Sequence, residues 1–288
     1  MSAVVAANDP KKAAQELRSL IGTPPLFIAA TMAYSTKTRD VGSILQSVPT
    51  VIQAVGNVTP LSHNMTNLVV QNFAANVALS IGASPIMANY GEEAGDLCKL
   101  GGSLVINMST VTPDGLQNYL KALKAYNSTG GPVLFDPVGA GATKIRRDAV
   151  KILMAGGYFD LIKGNEGEIK TVFGDPVLQQ RGVDSGASTL DALEKATLVR
   201  DLAARERNVV VMTGVIDYVS DGERTFSISN GHELLSRITG SGCVLGTTLS
   251  AMLAVHREDK LIAAIAGLLH YEIAAEFAAE REDVKGPG

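Results

Sequence analysis

The sequence predicts an α/β protein built around a mainly parallel central sheet. From about residue 60 onward, short apolar β-prone runs alternate with longer helical patterns, which is typical of repeated βα units. Several of the runs are continuous aliphatic stretches, as expected for strands that are buried on both faces. The 288 residues are 46% hydrophobic and 19% charged, so the chain can form a large aliphatic core, in one large domain or two small ones.

The candidate elements follow from local patterns taken in chain order. The predicted strands are 84–88, 103–109, 132–138, 159–165 and 208–214. A helix on the sheet is predicted between the second and third by apolar residues at helical spacing, namely Leu116, Tyr119, Leu120 and Leu123. An earlier helical pattern occupies 10–21, where Asp9 suits the N-cap position and Pro10 the first turn.

The last third of the chain changes character. Two short segments of alternating polarity near 217–231 are separated by the Asp221 and Gly222 pair, which predicts an antiparallel hairpin. The stretches at about 242–256 and 260–282 are rich in Ala and Leu, and they predict two further helices.

Charge and cysteine content exclude several classes of function. The net charge of −4 gives no electrostatic reason to bind nucleic acid or an anionic membrane. Cys98 and Cys243 are too few for a disulfide framework, and the N-terminus lacks the apolar core of a secretory signal. No run of about 18 apolar residues free of charge is present. We therefore expect a cytoplasmic protein with no nucleic-acid or membrane partner.

The strongest local motif is the glycine-rich run ITGSGC at 238–243, directly before a helical pattern. Closely spaced Gly240 and Gly242 expose consecutive amides, and the dipole of the following helix adds positive charge, so the loop suits a phosphate. Cys243 then lies at a helix N-terminus, where we expect a thiol pKa below its usual value. An ordinary glycine turn with a small buried cysteine explains the short motif equally well.

Two more motifs follow buried strands. Asp136 begins DPVGAGAT, and an acidic residue with a glycine loop at a strand end is placed for metal or phosphate contact, or it caps the next turn. The run KGNEGE at 163–168 offers Lys163 for a phosphate, with Asn165 and Glu168 three residues apart as oxygen ligands for Mg²⁺. Its rival interpretation is a capping box, in which Glu168 reaches back to the helix start.

Weaker signals come from short polar segments. Thr213 and Gly214 follow the strand residues 208–211, where a hydroxyl and a backbone group can meet a nucleotide. Residues 61–67, LSHNMTN, form a polar cluster that leads into an apolar helix and contains His63, while the four histidines show no zinc-site spacing. Thr66 and Asn67 are most simply interpreted as helix caps, and Met87 as a core residue. No P-loop motif is present.

Taken in order, the motifs closely resemble the hydroxyethylthiazole kinase family over about residues 55–275. They are PLSHNMTN, NFAAN, GASPIMA, DPVGAGAT, KGNEGEI, MTG and TGSGC. The resemblance implies a ribokinase-like three-layer α/β/α fold and phosphorylation of 4-methyl-5-(2-hydroxyethyl)thiazole from ATP and Mg²⁺ in thiamine biosynthesis or salvage. It also implies a homotrimer or higher homo-oligomer with active sites between subunits.

The same resemblance implies roles for individual positions. It places Mg²⁺ near Asp136 and Glu168, ATP at Lys163, Thr213 and Asn165, the thiazole at Met87, Gly240 and Asn64, and catalysis at Cys243, Gly240 and Gly242. Bacterial members commonly have Arg where this chain has Lys163, and Lys keeps the charge without the planar fork that binds phosphate in two places. Other ribokinase-like enzymes have an aspartate base where this chain has Cys243.

The N-terminal stretch VVAANDPKKAAQELRSLIG resembles the closing strand and helix of thiamine phosphate synthase, a TIM barrel that is fused upstream of the thiazole kinase in fungi. We therefore expect a synthase remnant at 1–22, a linker and leading helix at 23–50, and the kinase domain at 51–285. Three alternative functions stay open: a hydroxymethylpyrimidine kinase, a nicotinamide-nucleotide hydrate dehydratase, and a non-catalytic thiazole or thiamine sensor.

Overall fold

In a computed structural model, residues 38–174, 190–284 and 286 are described. The predicted helix at 10–21 and the synthase-like remnant at 1–22 lie outside the described residues. The predicted leading segment at 23–50 is described from residue 38, and its helical part begins at Val41 and continues past residue 50.

The described residues form one eight-stranded sheet in the order β2-β1-β3-β4-β5-β6-β7-β8. Its strands are β1 (Leu61–Met65), β2 (Ser84–Ile86), β3 (Ser103–Asn107), β4 (Val133–Asp136), β5 (Leu161–Asn165), β6 (Val209–Thr213), β7 (Asp217–Ser220) and β8 (Thr225–Ile228). Neighbours among β1 to β6 pair in parallel, whereas β7 and β8 form the predicted antiparallel hairpin. The mainly parallel sheet is confirmed.

Strand β1 differs from the expectation, because its residues were interpreted as a polar cluster leading into a helix. It lies between β2 and β3, and its polar side chains are buried with partners. His63 donates from Nε2 to the Ala88 carbonyl (2.8 Å) and accepts at Nδ1 from the Tyr126 hydroxyl (3.2 Å). Strand β1 lacks alternating aliphatic residues, and its buried polar side chains form hydrogen bonds with residues from other segments of the chain, which stabilise it.

Helices cover both faces of the sheet. In the described chain they are α1 (Val41–Val58), α2 (Gln71–Ser80), α3 (Ala94–Leu97), α4 (Pro113–Thr129), α5 (Lys144–Gly156), α6 (Glu166–Phe173), α7 (Ala192–Glu206), α8 (Ser241–Val255) and α9 (Lys260–Ala279). One apolar cluster joins α4 to α7 to the sheet, and a second joins α1, α2, α8 and α9 to its other face. This arrangement confirms the three-layer α/β/α architecture.

Helix α9 is, by length and composition alone, long and apolar enough to cross a membrane. Its most apolar window is 56% buried inside the structure, and the helix packs against α8 and α1. A buried core helix has the same composition, so this feature is weak evidence for a membrane span.

The parallel arrangement places the carboxyl ends of β1 and of β3 to β6 at the same edge of the sheet. Ligands of open α/β sheets bind at this edge. Asn107, Asp136, Asn165 and Thr213 are the last residues of their strands and therefore lie at that edge.

Candidate active site

The centre of the candidate site is a buried ion pair between two neighbouring strands. Lys163 Nζ lies 3.2 Å from Asp136 Oδ2, and both side chains are almost fully buried. Asn107 on β3 donates from Nδ2 to the same Asp136 oxygen at 2.8 Å. Burial disfavours a charge on Lys163, but the Asp136 carboxylate outweighs it and the pKa of Lys163 is raised. Burial also raises the pKa of Asp136, against the opposing effects of Lys163 and Asn107, so the charged pair depends on these two partners.

The second part of the site is the start of α8. Lys163 Nζ also donates to the Gly242 carbonyl at 2.8 Å, which ties the helix start to the ion pair. Gly240 is the N-cap with φ of 87°, in the left-handed region, and a Cβ there would lie 2.3 Å from Val70 Cγ1. Glycine is therefore required both by the backbone conformation and by the packing.

Backbone amides at this helix start are available for an anion. The Ser241 amide donates to the Ile238 carbonyl, and the Val244 amide donates to the Gly240 carbonyl. In the described part of the chain, the amides of Gly242 and Cys243 have no such acceptor, as expected for the first turn of a helix. Two N–H groups and the helix dipole thus converge near Lys163.

The expected low pKa of Cys243 is wrong. Burial, followed by the negative charge of Asp136, raises the pKa of this thiol to about 11. The Asn107 side chain lies near enough to the thiol to oppose this rise in its pKa. The helix dipole acts on a single turn, whereas two carboxylates from other elements oppose a thiolate. Cys243 is therefore a neutral thiol near pH 7.

Glu168 links two loops at the edge of the sheet. Its Oε1 accepts from the Gly139 amide (2.7 Å) and its Oε2 accepts from the Asn165 amide (2.8 Å), while the Glu168 amide donates to Asn165 Oδ1 (3.0 Å). The capping-box interpretation is thus confirmed. Burial, followed by the Asp136 charge, raises the pKa of Glu168 to about 7. Glycine at 164 leaves room for this side chain, since a Cβ there would be 2.9 Å from Glu168 Cβ.

Asp136 provides the atom best suited to a metal ion. Its Oδ1 is buried and accepts no hydrogen bond from the described residues, whereas Oδ2 binds both Lys163 and Asn107. A buried carboxylate oxygen without a donor matches a cation. No cluster of three or more His, Cys, Asp or Glu side chains suited to a metal occurs in the described ranges. The donor set therefore fits Mg²⁺, which uses few carboxylates together with phosphates and water.

The candidate nucleotide side lies across β5 and β6. Thr213 is paired in register with Asn165, so these two positions are neighbours at the sheet edge. The Gly214 amide donates to Asp217 Oδ1 at 2.8 Å and therefore points into the protein. The Gly214 amide is therefore not available for a contact with a nucleotide.

Two predicted thiazole contacts are not brought to the ion pair. Asn64 is 1% exposed, donates to Ser62 and accepts from the Thr247 hydroxyl at 2.8 Å. Met87 follows β2, which is separated from β4 by β1 and β3, or about 14 Å at ordinary strand spacing. Gly240, the third predicted contact, lies at the helix start beside the site. The side chain of Asn64 instead connects β1 to α8 through its hydrogen bond with Thr247.

Two residues that shape the site were missed in the sequence. Asn107 donates to Asp136 and lies near Cys243, and like Asp136 it is a polar residue that ends a buried strand. Arg146 on α5 donates to the carbonyls of Met108, Val138 and Ser109, and so fastens the loops after β3 and β4. No local pattern distinguishes Arg146 from its neighbour Arg147.

Comparisons with known proteins identify the family of this chain. The model of the hydroxyethylthiazole kinase family matches residues 52–287. The probable thiamine biosynthetic bifunctional enzyme of Schizosaccharomyces pombe is 40% identical over 295 residues, which cover 100% of this chain and 55% of that protein. The chain thus spans about half the length of this curated relative.

Solved structures give the same picture. A hydroxyethylthiazole kinase protein from Pyrococcus horikoshii OT3 superposes with a TM-score of 0.75 at 37% identity, over 84% of this chain and 89% of that one. A ribokinase-like superfamily protein from Enterococcus faecalis V583 superposes with a TM-score of 0.54 at 12% identity, over 85% of this chain and 78% of that one. The second similarity shows the fold alone.

Proposed function

Because the chain belongs to the hydroxyethylthiazole kinase family, we propose that it transfers the γ-phosphoryl group of ATP to the hydroxyl of 4-methyl-5-(2-hydroxyethyl)thiazole. The observation that carries this proposal is the convergence of the Gly242 and Cys243 amides with the buried pair of Lys163 and Asp136. A phosphoryl group needs such a set of donors and cations, because negative charge is spread over its oxygens during transfer.

The residues of the chain act mainly by positioning and by charge stabilisation. The amides at the start of α8 bind oxygens of the transferring group, and Lys163 neutralises charge between those oxygens and Asp136. Lys163 is itself held by the Gly242 carbonyl, so its ammonium needs little reorganisation when a phosphate arrives. The Glu168 bridge keeps the glycine loop that follows Asp136 in place.

The fit of Mg²⁺ rests on Asp136. Its Oδ1 is the buried acceptor without a donor among the described residues, so this carboxylate would hold the metal. Bound there, Mg²⁺ supplies charge neutralisation of the phosphates. Both oxygens of Glu168 already accept amide hydrogens, which favours a supporting contact through water over direct ligation. ATP contacts are assigned to Thr213 and Asn165.

Cys243 is proposed to position the substrate hydroxyl rather than to take its proton. A neutral thiol is a poor base near pH 7, and a loose phosphoryl-transfer transition state requires little help from a base. Its place in the first turn of α8 holds the side chain beside the amides of the helix start.

The larger assembly is also proposed. We infer a homotrimer or higher homo-oligomer with sites between subunits, in which Met87 reaches the thiazole. Its separation from β4 within one subunit supports this inference. The bifunctional relative supports an upstream thiamine phosphate synthase domain in the whole protein. Both described cysteines are free thiols, which supports a cytoplasmic location.

The proposal is tested by ADP formation from Mg-ATP with and without hydroxyethylthiazole. We expect ADP release that depends on the thiazole and saturates with it. Hydroxymethylpyrimidine and hydrated nicotinamide nucleotide serve as competing acceptors, and a preference for either would refute the proposed substrate. Asp136→Asn is the matched control, because it keeps the shape of the side chain and removes the negative charge proposed to hold Mg²⁺. This variant should abolish the thiazole-dependent ADP release.

A further inference from the structure

Two buried carboxylates face each other beside the candidate nucleotide side. Asp217 begins β7 and is 6% exposed, and Glu272 on α9 is 5% exposed. Helix α9 packs against β7, and the two carboxyl groups lie within hydrogen-bonding reach of each other. Glu272 Oε2 is buried and receives no hydrogen from any donor in the described residues. A contact of this kind between two carboxyl groups requires a proton on one of them.

The charges around this pair do not remove that requirement. Lys163 on β5 is the cation that acts on Asp217, and it is already paired with Asp136. Glu276, one turn further along α9, adds a negative charge near Glu272. Of the helices packed on α9, α1 contains no titratable residue and α8 contributes only Cys243. Because Lys163 is already paired with Asp136, ionising both carboxyl groups would carry a large cost in free energy.

The proton belongs to Glu272. Burial, followed by the hydrogen bond to Asp217 and its charge, raises the pKa of Glu272 to about 10. Burial also raises the pKa of Asp217, but the hydrogen bonds from Glu272 and from the Gly214 amide at 2.8 Å oppose this rise and favour its ionised form. Glu272 therefore donates its hydroxyl hydrogen to Asp217, and Asp217 accepts from both sides.

Asp217 holds the loop that follows β6. The loop of residues 214–216 connects β6 to β7, and its tip residue Val215 is 97% exposed. The strand end before it, Thr213, is paired with Asn165 at the candidate nucleotide side. With an exposed tip, the loop depends on the bond from its first amide to Asp217 for its conformation.

We propose that Glu272 and Asp217 share one proton and that, in this state, they are positioning residues that hold the loop at 214–216 for nucleotide binding. The nucleotide part of this inference rests on the proposed kinase function. The shared proton does not, because it follows from the burial and contact of the two carboxyl groups.

The shared proton is tested by stability, without any assay of activity. In the unfolded chain Glu272 ionises near 4.5, whereas in the folded protein it keeps its proton to about 10. The folded state thus holds one more proton between these values, and its stability falls as pH rises through this window. The unfolding constant of the wild type should rise relative to Glu272→Gln by at most about tenfold per pH unit.

Denaturant titrations at pH 6, 7.5 and 9 measure the ratio of the wild-type unfolding constant to that of Glu272→Gln. We expect it to rise at least tenfold over the three units, while the ratio of wild type to Glu276→Gln stays flat. Glu276 is the matched control because it lies one turn away on α9 and binds the Gly231 amide instead. A flat ratio for Glu272→Gln would show that Glu272 is ionised at neutral pH and would overturn the proposal.

The positioning role is tested by nucleotide binding and by kinetics. Asp217→Ala should weaken ADP binding, measured by calorimetry, about tenfold, and raise the KM for ATP equally, with kcat and the thiazole KM within threefold. Asp217→Asn should restore both, because its amide group accepts from Gly214 and donates to Glu272. Unchanged ADP binding in Asp217→Ala would refute the role. Loss of thiazole-dependent turnover in the wild type would refute only the proposed function, since calorimetry needs no turnover.

Discussion

Replacing Cys243 by Ala separates a catalytic base from a positioning group. With a pKa of about 11, roughly one thiol in 10⁴ is ionised at pH 7. A general base contributes about 10² to 10⁴ in rate, whereas loss of one neutral hydrogen bond costs about 0.5–1.5 kcal/mol, or about tenfold at most. Because the thiol is neutral, we expect Cys243→Ala to lower kcat less than about tenfold.

The assay is steady-state ADP formation from pH 6 to 9, with Cys98→Ala as the control for loss of the other cysteine. Cys98 is 8% exposed and belongs to the core cluster formed with α4 to α7, so its loss affects stability and leaves the site intact. We expect Cys243→Ala to keep the pH profile of the wild type. A fall of more than 100-fold in kcat, with both KM values unchanged, would refute the positioning role.

Three further predictions concern the buried charges and the glycine at the helix start. Lys163→Met leaves Asp136 buried without its cation. Denaturant titration should therefore show a free energy of unfolding lower by about 3–5 kcal/mol, and turnover should vanish. Gly240→Ala forces a residue with a side chain to adopt φ of 87°, so it should lower the free energy of unfolding by about 1–3 kcal/mol and abolish activity. The control Gly56→Ala places its methyl group in open space within α1 and should raise the free energy of unfolding by about 0.5–1 kcal/mol. The pKa of Glu168 is about 7 in the folded protein and 4.5 in the unfolded chain. Its contribution to folding stability is therefore complete below pH 4.5 and is lost as pH rises to about 7, a change of about 3 kcal/mol at most. Glu168→Gln should remove this slope between pH 5 and 8, and an unchanged slope would contradict the assignment.

The sequence predicts the parts of the site that local pattern determines. Asp136 and Lys163 were found because each polar residue lies in or at the end of a buried parallel strand, and such ends meet at one edge. Asn107 was missed, since it lies inside the predicted strand 103–109 and no glycine loop follows it, as one follows Asp136. The ion pair itself joins positions on different strands, and spacing alone does not predict it.

The two errors have a common cause in contacts between distant segments. Strand β1 lacks an aliphatic pattern, and its polar residues are satisfied by Tyr126 and Thr247, which come from other helices. The pKa of Cys243 was expected to be low from its place at a helix start. Carboxylates from β4 and α6, together with burial, raise it. Neither partner set is visible in the local sequence.

The most direct test of the central claim is identification of the product by ³¹P NMR after incubation with Mg-ATP and hydroxyethylthiazole. The structure places Lys163 and two amides without a backbone acceptor among the described residues at one helix start, so we predict a new phosphomonoester signal that grows in step with ADP. Inorganic phosphate as the product instead, with no phosphomonoester on the thiazole, would contradict the claim that the chain is a kinase acting on this alcohol.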